Sequence, residues 1–214
     1  MLEIRKYGGV IMKIPFWEET YKVDDIYTFG SEPNNTIIEF ENLFNKLGNV
    51  LDVGCGDGKN SLYFAKQGFS NIDAFDLSDN AIKKLKRLAY KDDIHINAWV
   101  DDLCNFSFQK TYDLIFSFGT LHFVNKDNWY KFILAAKENT VIGGFHIMQI
   151  FTNQVPASPD IAPFAIGMAA DEEIKELYND WNIIQFKSYV FEDEHPGVPL
   201  HLHASNKIIA QRNR

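Results

Sequence analysis

In TIIEFENLFNKLG, residues 36 to 48, the apolar positions Ile37, Ile38, Phe40, Leu43, Phe44 and Leu47 recur at three- and four-residue intervals and stop at Gly48. That is the spacing of a helix with one buried face, and Pro33, Asn34 and Asn35 supply its start signal. Beyond Gly48 the period changes. NVLDVG (49–54) is a short continuous apolar run, predicting a strand buried on both faces, and GKNSLYFAKQG (58–68) returns to helical spacing. The alternation continues with strand NIDAFDL (71–77), helix SDNAIKKLKRLAY (78–90) capped by Ser78, and strands HINAWVDD (95–102) and YDLIFSFG (112–119). Helix KDNWYKFILAAKEN (126–139) and strand GGFHIMQIF (143–151) follow, the latter carrying His146 into or beside the sheet. The tail departs from this rhythm. A helix in ADEEIKELYNDW (170–181) precedes two long alternating segments, 183–192 and 200–211, joined by the turn HPGVP.

Short strands alternating with amphipathic helices require right-handed crossovers, hence a sheet that is mainly parallel and covered on both faces. The expected fold is α/β, Rossmann-like and doubly wound, with a seven-stranded sheet whose last two strands form an antiparallel hairpin. A ligand site is expected in the crevice at the carboxyl ends of the strands, where the winding reverses. At 214 residues one domain is expected over 1–214, with 1–33 as an aromatic lead-in or lid and 34–214 as the core.

A net charge of −8 gives an overall field that repels phosphate backbones and anionic membranes, so neither nucleic acid nor a membrane is an expected partner. The basic cluster KKLKR (83–87) reads as the solvated outer face of its helix. Cys55 and Cys104 are the only cysteines, both in apolar sequence surroundings without CxxC spacing, which fits a reducing cytoplasm. No apolar run approaches the ~18 residues of a membrane span, and the start lacks a signal-peptide core. Met12 is an alternative start to Met1. Eighteen Phe, nine Tyr and four Trp exceed what most cores of this size need, which leaves some to line a pocket.

Gly54, Gly56 and Gly58, placed between a strand and a helix, let the backbone turn sharply and approach a ligand. A dinucleotide fingerprint would need glycine at position 59, where Lys59 stands. Asp52, directly before the glycines, would repel a diphosphate and attract an ammonium group. Asp76 closes the next strand, where a carboxylate can accept both hydroxyls of a ribose. Asp101 and Asp102 close the third, where a carboxylate can accept from an exocyclic amine while Leu77 and Leu103 sandwich a flat base. Acceptors for amine, ribose and base, in that order along three strand ends, specify an amino-acid-bearing nucleoside.

VLDVGCGDGKNSLYFA, DAFDLS, VDDL and YDLIFSFGTLHFV together resemble the successive motifs of class I S-adenosylmethionine-dependent methyltransferases. PFWEETYK, GKNSLYFA and the APFAIG…EEIKELYNDW block are similar to the tellurite-resistance and thiopurine-methyltransferase-like branch. The resemblance implies S-adenosylmethionine as cofactor, S-adenosylhomocysteine as product, and a small-molecule acceptor such as a chalcogen oxyanion or a thiol. It sets Asp52, Gly54, Gly56 and Gly58 at the methionine part, Asp76 at the ribose, and Asp102 with Leu103 at the adenine with Asp101 the alternative, while Cys55, Lys59, Asn60, Leu77, Ser117 and Phe118 are further cofactor-site candidates. Trp17 and Tyr21 are the lid candidates, with plain packing as the alternative.

Methyl transfer is an in-line displacement, and a base is needed only if the nucleophile carries a proton. His122, His195 and His203 are the candidates. In LHLHA the period of two puts His201 and His203 on one face. Three histidines near the last turn raise metal binding as an alternative, but no fourth ligand is evident and no metal is expected. The tellurite enzymes that this chain resembles carry arginine beside the histidine of this region, whereas His195 is followed by Pro196 and Gly197, which weakens oxyanion recognition. Against the methyltransferase stand a non-catalytic cofactor-binding sensor and, disfavoured by Lys59 and Asp52, an NAD-dependent oxidoreductase. A monomer is the default state, a dimer its alternative.

Overall fold

The computed structural model describes residues 4–7, 10–27, 29–195 and 198–213, with the side chains of 4–7, 10–13 and His195 outside that description. A small antiparallel pair, β1 (Ile4–Tyr7) and β2 (Val10–Lys13), leads into the one-turn helix α1 (Trp17–Thr20) and then α2 (Asn35–Phe40). The core elements are β3 (Asn49–Val53), α3 (Lys59–Lys66), β4 (Asn71–Asp76), α4 (Asp79–Lys91), β5 (Asn97–Val100) and β6 (Tyr112–Phe118). They continue through α5 (Lys126–Glu138), β7 (Thr140–Phe151), the single turn α6 (Glu173–Glu176), β8 (Asn182–His195) and β9 (Val198–Gln211).

The larger sheet has seven strands in the order β5, β4, β3, β6, β7, β9, β8. The first five are parallel, and β9 runs antiparallel to both β7 and β8. Winding reverses between β3 and β6, the predicted crevice. Alternation along the strands sorts the apolar residues into two cores. Val50, Leu114, Phe116 and Ile147 pack with Phe64 of α3 and Ile82 and Leu85 of α4. Leu51, Val53, Ile115 and Met148 pack with Trp129, Phe132 and Ile133 of α5.

The helix predicted over 36–48 is shorter than its apolar spacing suggests. Asn34 caps α2 by accepting from the Thr36 N–H, but Phe44 turns extended and buries itself against Phe64 and Phe145. Leu47 is left 78% exposed, so its place in the apolar stripe is incidental. The helix predicted over 170–181 is likewise one turn flanked by further turns, which still buries Ile174, Tyr178 and Trp181. His146 is buried as expected, its Nε2 2.8 Å from Thr140 Oγ1 and its Nδ1 2.7 Å from Tyr178 Oη. Cys104 departs from its apolar sequence context: it is exposed, and its Sγ accepts from Asn128 Nδ2. Pro196 and Gly197 of the last predicted turn lie outside the described residues. No helix among the described residues is long and apolar enough to cross a membrane.

The lead-in is held by the cluster expected to face solvent. Lys84 is fully buried, 3.0 Å from Asp57 Oδ2 in the glycine loop, and donates to the Ile26 carbonyl with its ammonium over the Tyr27 ring. Arg87 and Lys91 bind the two oxygens of Asp24 and hold its carboxyl below the usual range. Lys83, Lys86 and Arg87 are exposed as anticipated, Arg87 while paired with Asp24, and Lys84 is the one charge of that run that turns inward. What covers Lys84 is the Ile26 carbonyl and Tyr27 ring of the lead-in, more than fifty residues upstream, together with Asp57 of the glycine loop.

Candidate active site

Strand ends and lead-in enclose a cavity of about 870 Å³ over the switch point between β3 and β6. Its floor is the glycine loop. Asp52, buried near the end of β3, accepts from Ser61 Oγ at 2.7 Å, and burial pushes its carboxyl up to about 7, with Asp76 raising it further against the Ser61 hydrogen bond. Asp76 ends β4 and takes a backbone N–H on each oxygen, Gly56 on one and Ser78 on the other, both at 2.8 Å. Burial raises its pKa, opposed by those two hydrogen bonds. A carboxylate has about four acceptor positions, so two remain for donors from a ligand.

The glycines serve different ends. Gly56 has φ +55°, and a Cβ there would sit 2.9 Å from Tyr21 Oη, so the loop backbone and the lead-in tyrosine meet directly. Gly58 has φ +82°, but its Cβ would fall 2.2 Å from Leu85 Cδ1; this glycine lets the loop pack on α4 and does not line the cavity. Ser117 is also placed away from it, fully buried with its hydroxyl donating to the Val53 carbonyl. A residue's position in a motif does not tell which side of the backbone a side chain leaves from.

Gly54, Cys55, Lys59, Asn60, Leu77, Asp101, Asp102, Leu103 and Phe118 all reach the wall, as do Trp17 and Tyr21. Cys55 is a packed thiol whose pKa burial drives upward, which suits a wall and not a nucleophile. Lys59 is tied to the lead-in through the Phe29 carbonyl, and Asn60 Oδ1 accepts from the Asn34 N–H. Asp101 accepts from Trp99 Nε1 and the Asp102 N–H, while Asp102 accepts from the Cys104 N–H and Asn105 Nδ2.

The other end is aromatic. Trp17 packs on Phe123 and Phe164, with ring centroids at 5.1 and 5.8 Å, and Phe151 stacks with both His122 and His203. His203 is buried because β9 runs between β7 and β8; period-two spacing placed it beside His201 but not inside the sheet. The His201 and His203 Nε2 atoms lie 3.0 Å apart, and Asp193 Oδ2 is 4.0 Å from His203 Nε2. The side chain of His195 lies outside the described residues. Among those described, no group of three or more His, Cys, Asp or Glu side chains gathers as a metal cage. His122 is no base, since burial, helped by His203, lowers its pKa to about 3.

Residues that sequence reasoning passed over include Glu18, which accepts from Asn80 Nδ2 at 3.0 Å, and Phe151, Phe191 and Gln149. The position of Glu18 beside Trp17 in PFWEETYK was the available signal; the others come together only through strand pairing.

Residues 19–196 match the family described as tellurite resistance protein TehB. The chain belongs to this family. A probable S-adenosyl-L-methionine-dependent methyltransferase TehB of Haemophilus influenzae is 31% identical over 145 residues, 67% of this chain and 49% of that protein. The chain thus spans about half the length of the curated relatives it matches. The crystal structure of TehB from Haemophilus influenzae superposes with TM-score 0.75 at 25% identity, covering 84% of this chain and 62% of that one. Magnesium protoporphyrin IX methyltransferase from Synechocystis PCC 6803, solved with bound SAM, shares the fold at TM-score 0.58 and 16% identity, over 83% of this chain and 75% of that one.

Proposed function

We propose that this family member is an S-adenosylmethionine-dependent methyltransferase whose acceptor is a small molecule with an uncharged, proton-bearing nucleophile such as a thiol, its proton passing to His203 at that end of the cavity as the methyl group is transferred. The observation that carries the cofactor is the set of carboxylates on three successive strand ends facing one cavity over a glycine loop. Their chemistry fits the group: Asp52 for the ammonium, Asp76 for the ribose hydroxyls, and Asp102 or Asp101 with Leu103 and Leu77 for the adenine, each of these two carboxylates already accepting two hydrogen bonds and keeping further acceptor capacity. S-adenosylmethionine supplies an activated methyl group on a sulfonium. The chain's own part is to align and to exclude water, with Trp17 and Tyr21 as the roof and Lys59 fastening the lead-in to the floor.

Charge favours an uncharged acceptor over an oxyanion. The walls carry Glu18, Glu19, Asp52, Asp57, Asp76, Asp101, Asp102 and Asp193 against Lys22 and Lys59. Lys22 pairs with Glu19, Lys59 is committed to Phe29, and no arginine lines the cavity among the described residues. An anion meets net repulsion there without a guanidinium fork to hold it.

Calorimetry with S-adenosylhomocysteine, followed by a screen of thiols, amines and tellurite for S-adenosylhomocysteine release, tests both parts. Binding with turnover of thiols but not tellurite is expected. Binding without any turnover would favour a sensor, and stronger binding of NADH would revive the oxidoreductase.

A further inference from the structure

His122 occupies the short 3-10 turn Leu121–Phe123 after β6, fully buried, with Phe123 at 4.1 Å between ring centroids and Phe151 stacked at 4.2 Å. Its Nδ1 lies 3.5 Å from the Phe151 backbone nitrogen. An N–H can only donate, so Nδ1 accepts and the proton of the neutral ring resides on Nε2. That Nε2 is buried with no hydrogen-bond partner among the described residues, although His122 belongs to the cavity wall. Native interiors rarely leave a buried donor unpaired, because its lost hydration is not recovered.

We propose that His122 is a specificity-determining residue for the methyl acceptor, its Nε2–H donating to an uncharged oxygen or nitrogen beside the acceptor's nucleophile. This rests on the methyltransferase reading and assigns a feature of the substrate to it. Position selects the acceptor over the cofactor. The carboxylates suited to the cofactor stand on β3, on β4 and just beyond β5, whereas His122 packs on Phe151 of β7, which stacks in turn with His203 of β9, on the other side of β6. The chemistry of the donor selects an uncharged group: a single neutral dipole does not offset the carboxylate excess that a full anion would meet. Because protonation is suppressed far below neutrality, the ring remains a donor at Nε2 throughout the working range.

The test uses nitrogen-15 histidine NMR on the whole chain, then kinetics. With S-adenosylhomocysteine bound, three probes are added: benzyl mercaptan, methyl 3-(mercaptomethyl)benzoate, whose ester carbonyl can accept and whose meta placement prevents cyclisation, and 3-(mercaptomethyl)benzoate, the corresponding anion. The expected spectrum has the His122 proton on Nε2, unchanged from pH 5 to 9, with Nε2 moving on addition of the ester and not of S-adenosylhomocysteine alone. In His122→Phe, KM for the ester should rise about tenfold, the scale of one lost hydrogen bond, with kcat and the KM of benzyl mercaptan little changed. A proton on Nδ1, a shift produced by S-adenosylhomocysteine alone, or an Nε2 that no probe moves would overturn the proposal, even if His122→Phe fails to fold. Failure of S-adenosylhomocysteine to bind at all would instead remove the methyltransferase reading beneath it.

Discussion

At the carboxyl ends of β3, β4 and β5 the cavity wall is assembled from short, contiguous pieces: Asp52 with the glycine loop, Asp76 with Leu77 and Ser78, and the run from Asp101 to Leu103. Beyond β6 it is assembled from residues far apart in sequence, Trp17, His122, Phe151, Phe191 and His203, which meet only because the lead-in folds back and β9 enters between β7 and β8. The first half offers backbone turns and charge; the second offers aromatic faces and imidazole. A local motif needs only a strand, a turn and a helix to be in place, whereas the acceptor end needs the completed sheet. Under the proposed function, acceptor preference can therefore change by single substitutions without disturbing the glycine loop.

Four measurements, from the largest expected effect to the smallest, bear on this division. Lys84→Met removes one partner of a buried ion pair under the glycine loop. Melting should show a loss of about 3 kcal/mol, or roughly 10 °C in Tm, and an unchanged Tm would detach the lead-in latch from the cofactor half. Asp76→Ala should weaken S-adenosylhomocysteine binding by more than about tenfold in calorimetry, since both backbone anchors and the charged acceptor go together.

The third is a pH dependence. Asp52 must be ionised to take an ammonium, and with its carboxyl at about 7 the ionised fraction falls from about nine-tenths at pH 8 to one-tenth at pH 6. Affinity for S-adenosylhomocysteine should drop about tenfold across that interval, and Asp52→Asn should flatten the profile. The same shift acts oppositely on stability. An acid whose pKa is raised on folding binds more protons when folded, so stability is lost as pH rises from about 4 to 7, and Asp52→Asn should raise Tm at pH 8. Smallest is Trp17→Ala, expected to raise the acceptor KM about threefold while leaving the Kd of S-adenosylhomocysteine within about twofold. A larger loss of cofactor affinity would move Trp17 into the other half.

How far the sequence could be read follows the same line. Asp52, Asp76, Gly54 and Gly56 were legible as cavity-wall positions because strand-turn-helix geometry fixes where such residues stand, and the alternation of elements foretold the sheet and its final hairpin. Gly58 and Ser117 were read as cofactor contacts on motif position alone, and packing against Leu85 and the Val53 carbonyl explains them instead. Period-two spacing paired His201 with His203 correctly, yet the insertion of β9 that buries His203 is a tertiary event. Lys84 shows the limit most plainly: a lysine on an amphipathic helix reads as solvated until the residues that cover it are known.

That buried ammonium has one more consequence. It holds Asp57 in the floor of the cavity and the Ile26 carbonyl in the lead-in at once, so that stretch of the lead-in cannot part from the loop without stripping a partner from a fully buried charge. One ammonium thus ties two segments about thirty residues apart in sequence, beside the separate tie of Lys59 to the Phe29 carbonyl, so a change at Lys84 is felt in the lead-in and in the glycine loop together.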